Sequence, residues 1–182
     1  SGLNSIEHFR NIELSMTKMT NDLLKERKEI LKNKSALRGA SLRSLLHSKQ
    51  RMRSIYNLDS SKIKNVVDIL AKNDTWQIPT LKLYKNSAYK IYKSDEYINN
   101  LNLLPINIKN NWEKEISSED DKLDKERIDF TKWQSSMVDY MHKNGITFMA
   151  GTDTPINFLV PGLSLHQEIE ELTNSGLTNI EA

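Results

Sequence analysis

Hydrophobic residues recur at helical spacing along most of this chain and condense into short β-rich runs at three places. The first run, Leu3 to His8, reads as a strand with His8 at its C-terminal end. From Ile12 to Asn33, the residues Ile12, Met16, Met19, Leu23, Leu24, Ile30 and Leu31 form the apolar stripe of one long helix, with the methionines as core filler. A second helix, Leu42 to Tyr56, gathers Leu42, Leu45, Leu46, Met52 and Ile55 on one side. Asp59-Ser60-Ser61 starts a third helix that buries Ile63, Val66, Val67, Ile69 and Leu70. The β-rich run Thr75 to Leu81 follows, ended by Pro79, which has no N–H for a ladder.

Periodicity weakens between Tyr84 and Asn111, where Tyr, Asn and Lys dominate around Pro105. The tyrosines Tyr84, Tyr89, Tyr92 and Tyr97 are read as packing residues in preference to the lining of an opening. Alternating charge from Glu113 to Arg127 reads as an exposed face. Asp129 to Lys143 is helical again, with Asn144-Gly145 as its stop. The third β-rich run then leads to Gly151-Thr152-Asp153. Beyond two prolines, Ser164 is placed to cap a helix containing Leu165, Glu168, Ile169 and Leu172, and His166 lies near its start.

Composition narrows the chemistry. The 182 residues contain no cysteine, so thiolate metal sites and disulfides are excluded within the chain. The 26 Lys and Arg nearly balance 24 acidic residues, and the net charge of +2 gives no global sign of a nucleic-acid binder. The distribution is uneven, however. Lys25 to Arg53 holds ten basic residues (Lys25, Arg27, Lys28, Lys32, Lys34, Arg38, Arg43, Lys49, Arg51 and Arg53) against only Glu26 and Glu29. No apolar run reaches the roughly 20 residues of a membrane-spanning helix. A cytoplasmic setting is favoured, with a secreted or periplasmic parent protein kept open.

His8, Thr80 and Asp153 each fall at or just past the end of a β-rich run. In a parallel barrel such ends share one opening, where an imidazole and a carboxylate can hold a metal and manage the proton of its water. A catalytic zinc takes three protein ligands, so this pair alone is incomplete.

The words Ser5-Ile6-Glu7-His8 after Gly2-Leu3-Asn4, Ile78-Pro79-Thr80-Leu81, Gly145 through Asp153, Pro161 through Glu168, and Gly176-Leu177-Thr178 with Glu181-Ala182 carry a resemblance. In order and spacing the chain resembles the metal-dependent amidohydrolase superfamily, in its branch of imidazolonepropionases and prolidase-like dipeptidases. That resemblance implies an α/β fold: the last three strands of a TIM-type (β/α)8 barrel with helical insertions. Residues 1–182 would be its incomplete C-terminal part, with charged insertions at 18–60 and 99–127. It also implies His8 as a metal ligand and Asp153 as both metal ligand and catalytic base. Glu7, Thr80 and His166 would be pocket or supporting residues, around one or two zinc ions in the complete enzyme. The implied activity is hydrolysis of a C–N bond in a small amide, dipeptide or cyclic amide. The chain alone would be inactive without the N-terminal part of the barrel, and self-association could cover its open edges.

A second reading is non-enzymatic. The helix Leu42 to Tyr56 would present its basic side to an acidic partner or to nucleic acid, the nucleic acid being the weaker option because aromatic interleaving and a recognised motif are missing.

Overall fold

The computed structural model describes residues 3–32 and 37–182. Gly2, Asn33 and Lys34, which entered the expectations above, lie outside them. Two strands, β1 (Ser5–Glu7) and β2 (Trp76–Ile78), run parallel with Ser5 opposite Trp76, Ile6 opposite Gln77 and Glu7 opposite Ile78. The expected third strand contributes one parallel bridge, Gln77 to Phe148. There Gln77 donates to the Thr147 carbonyl at 3.0 Å and accepts from Met149 N–H at 2.9 Å.

The remaining regular structure is helical: α1 (Ile12–Met16), α2 (Thr20–Lys32), α3 (Gly39–Ile55), α4 (Ser60–Lys72), α5 (Leu81–Ala88), α6 (Asp95–Asn100), α7 (Ile106–Ser118), α8 (Lys125–Lys143) and α9 (Leu163–Asn174). The expected α/β barrel fragment is therefore corrected. Among the described residues the fold is a helical bundle with an open two-stranded sheet. Three-residue strands offer few ladder bonds, whereas the amphipathic helices bury their apolar stripes against one another. Phe9, Met16, Val67, Leu81, Val138, Met141 and Leu172 meet in one core, each nearly inaccessible. Full burial of such a side chain contributes roughly 1.5–3 kcal/mol. Because the described residues carry a helical core of their own, they supply no partial barrel for an N-terminal part to complete. Among them, no helix is long and apolar enough to cross a membrane.

Tertiary pairing overrides local periodicity in two places. The helix expected over Ile12 to Asn33 breaks at Thr17, which is extended and forms an antiparallel bridge with Leu58. The Thr17 hydroxyl donates to the Asn57 carbonyl at 2.8 Å, and Lys18 N–H donates to the same oxygen at 2.9 Å. The Tyr84 to Asn111 stretch also folds: Tyr92, Tyr97, Leu101, Ile116 and Val160 make a second apolar cluster beneath α6 and α7. Caps follow the expectation at Asp59, whose carboxylate accepts from Ser61 and Lys62 N–H at 3.0 and 3.1 Å. They depart from it at α9, where Gly162 precedes the helix and the buried Ser164 makes no cap.

Candidate functional site

Three loop residues converge where β1, β2 and the 147–151 segment end. His8 N–H donates to the Ile78 carbonyl at 2.7 Å, which ties the end of β1 to β2. Gly151 passes so close to β2 that a Cβ there would lie 2.4 Å from Ile78 Cγ2, and this approach delivers Asp153 to the same place. His8, Thr80 and Asp153 all adopt left-handed backbone, at φ of 59°, 52° and 53°. Such conformations cost non-glycine residues energy and concentrate at functional sites.

His8 lies between the other two. Its Nδ1 is 2.7 Å from Thr80 Oγ1 and its Nε2 is 3.0 Å from Asp153 Oδ2. Burial lowers the imidazole pKa more than the Asp153 carboxylate raises it, so the neutral ring is favoured. In the neutral form Nε2–H donates to Asp153, and Nδ1 accepts from the Thr80 hydroxyl. The Pro79 carbonyl, 2.7 Å from that hydroxyl, still receives Gln134 Nε2–H at 3.2 Å. Protonation of His8 would turn the hydroxyl toward Pro79 and let both ring nitrogens donate. A carboxylate, imidazole and hydroxyl so linked have the connectivity of a nucleophilic triad. Thr80 is only 1 % exposed, which removes its hydroxyl from any substrate. Asp153, with 38 % of its side chain exposed, is the member that reaches the cavity.

This geometry also corrects the expected zinc. Both nitrogens of His8 are engaged within the protein, and among the described residues no group of three or more His, Asp or Glu side chains is placed to hold a metal. Glu7 is exposed beside the site, and His166 is exposed on α9, outside the cavity wall.

The cavity into which Asp153 faces has a volume of about 680 Å³. Helix α3 lines it with Arg43, His47 and Arg51, joined by Arg10 from the loop after β1 and Arg127 from α8. Tyr84 and Phe130 form an aromatic wall, their rings packed edge to face at 4.9 Å. The Arg51 guanidinium lies 4.3 Å from the Phe130 ring centre. Its Nε is buried without a hydrogen bond, and its nearest carboxylate, the buried Glu13, is 3.9 Å away. Arg127 is held by Asp124 at 3.6 Å and donates to Ser87 Oγ at 3.0 Å. Among the described residues Arg10 and Arg43 have no carboxylate within ion-pair distance. At His47 burial first, then Arg51, Arg10, Arg27 and Arg43, push the pKa down to about 4.

The basic side of α3 was legible from the sequence, whereas the contributions of Arg10 and Arg127 were not, because they come from distant segments without a shared motif. A buried carboxylate was also missed. Glu168 accepts from Leu81 and Lys82 N–H at 2.9 and 2.7 Å, which caps the start of α5 from α9.

No known protein family, curated protein or solved structure matches the chain. With the helical fold and the lack of a metal-ligand cluster among the described residues, this overturns the expected amidohydrolase identity, its C–N hydrolase activity and its small amide or dipeptide substrate.

Proposed function

We propose that this chain is a non-enzymatic helical interaction module that receives an acidic partner in the cavity walled by α3. The observation that carries the reading is the pair of guanidinium groups, Arg10 and Arg43, left without carboxylate partners beside Arg51 at a concave surface. Positive charge uncompensated at a cleft attracts and orients anionic groups. The start of α3 adds to it, since its N-cap residue, Arg38, makes no side-chain cap and no acidic residue lies in its first turn. Because Asp124, Glu126 and Asp153 line the same cavity, a single protruding anionic group that seats against the arginines suits it better than an extended phosphate backbone, whose successive charges would also meet those carboxylates.

The test is binding of a fluorescent Glu-rich peptide followed by anisotropy. Affinity is expected at low salt, weakening as ionic strength rises, with Arg43→Glu costing about tenfold while leaving the fold intact. Lack of binding at low salt would refute the reading. Tighter binding to single-stranded DNA than to the peptide would favour a nucleic-acid partner instead.

A further inference from the structure

Resting on the reading above, we propose that the cavity is a receptor for a phosphate monoester dianion carried on a side chain of the acidic partner. The donor inventory of the α3 wall leads to this chemistry. Arg51 Nη2 lies 3.1 Å from His47 Nδ1. A guanidinium only donates, so Nδ1 accepts and the ring proton of His47 resides on Nε2. His47 is thus a neutral donor, and its depressed pKa of about 4 agrees with that state. Together with the Arg10, Arg43 and Arg51 guanidinium groups lining the same cavity, it gives a surface with donors from four side chains. An acceptor-only ligand with several oxygens and two negative charges satisfies such a surface more fully than one carboxylate does.

Asp153 brings the opposite character to the same cavity. Asp153, held by His8, presents a half-exposed carboxylate that accepts hydrogen bonds and repels anions. The proposed ligand therefore sets its phosphate against the arginines and a donor, such as a peptide N–H, against Asp153. Tyr84 and Phe130 add an aromatic surface to the same cavity. The volume of about 680 Å³ lies within the roughly 300–1,000 Å³ range of ligand pockets and exceeds what one short acidic side chain fills. Nucleic acid satisfies this pattern less well, because each of its diesters carries a single negative charge.

The experiment compares isothermal titrations of the chain with a phosphoserine peptide, the same peptide carrying Glu at that position, inorganic phosphate and a single-stranded oligonucleotide. The phosphopeptide is expected to bind about tenfold more tightly than the Glu peptide. Its affinity is expected to rise between pH 5.5 and 7.5 as the phosphate loses its second proton near pH ~6, while the Glu peptide shows no such rise. Arg10→Ala and Arg43→Ala change exposed side chains and are expected to abolish the phosphate preference without altering the melting curve. Binding of inorganic phosphate as tight as that of the phosphopeptide would overturn the carrier side chain and point to a small phosphate ligand. Equal affinity for the phosphorylated and Glu peptides would overturn the phosphate assignment while the acidic-partner reading stands. Tighter binding of the oligonucleotide would overturn it in favour of nucleic acid, and failure of every probe would remove both proposals.

Discussion

Helix α5 meets charge on two sides, and the two sides dispose of it differently. Toward α9, Lys85 pairs with Glu171, and the buried Glu168 carboxylate receives two backbone N–H groups at the start of α5. Toward the cavity, Tyr84 faces guanidinium groups of which Arg10 and Arg43 have no carboxylate partner among the described residues. The same chain pairs charge along an internal seam and leaves Arg10 and Arg43 without ion-pair partners at a concave surface. Charge on the first side holds the fold together, and on the second it is the charge on which the proposed binding rests.

The largest effect that would sharpen this contrast is on the α9 side. Glu168→Ala leaves two buried N–H groups without an acceptor and is expected to cost about 3 kcal/mol, measured by urea unfolding. The pH dependence should be of similar size. Burial raises the Glu168 pKa from 4.5 to about 7 despite the opposing backbone hydrogen bonds. The folded state therefore binds this proton more tightly than the unfolded state. That contribution is fully present below about pH 4.5 and is lost as pH rises through about 7, a fall on the order of 3 kcal/mol that Glu168→Gln should flatten. An unchanged pH profile in the Gln variant would assign the slope to other groups.

Between the two extremes is Arg51, which is half structural. Arg51→Ala removes the cation over Phe130 and the nearest partner of buried Glu13, and is expected to cost about 2 kcal/mol. Glu13 limits the loss by taking up a proton, since burial already raises its pKa. Arg43→Ala, at the exposed end of the wall, should change stability by less than ~0.5 kcal/mol. A large destabilisation there would erase the distinction between the two sides of α5.

What could be read from the chain follows the same division. Local signals were legible: the Asp59 cap, the two short strands at Ser5–Glu7 and Trp76–Ile78, the Asn144-Gly145 stop and the basic side of α3 each depend on neighbouring residues. His8, Thr80 and Asp153 were singled out at strand ends and do meet, because the parallel register of β1 and β2 and the Gln77–Phe148 bridge bring those ends together. The sheet's extent was misjudged because a β-rich run does not reveal how many residues find a ladder partner. The break at Thr17 depends on Asn57 and Leu58, forty residues away, and the capping of α5 by Glu168 on residues more than eighty positions apart. Such long-range partners leave no periodic trace.

The close approach at Gly151 has a consequence for how this chain can vary. Ile78 is β-branched and stiff, so its Cγ2 cannot swing away from a new Cβ at position 151. The two positions therefore behave as one steric unit: Gly151→Ala should be tolerated only when residue 78 is trimmed as well. A change at either would be felt at Asp153, two residues further on, before the rest of the bundle registers it.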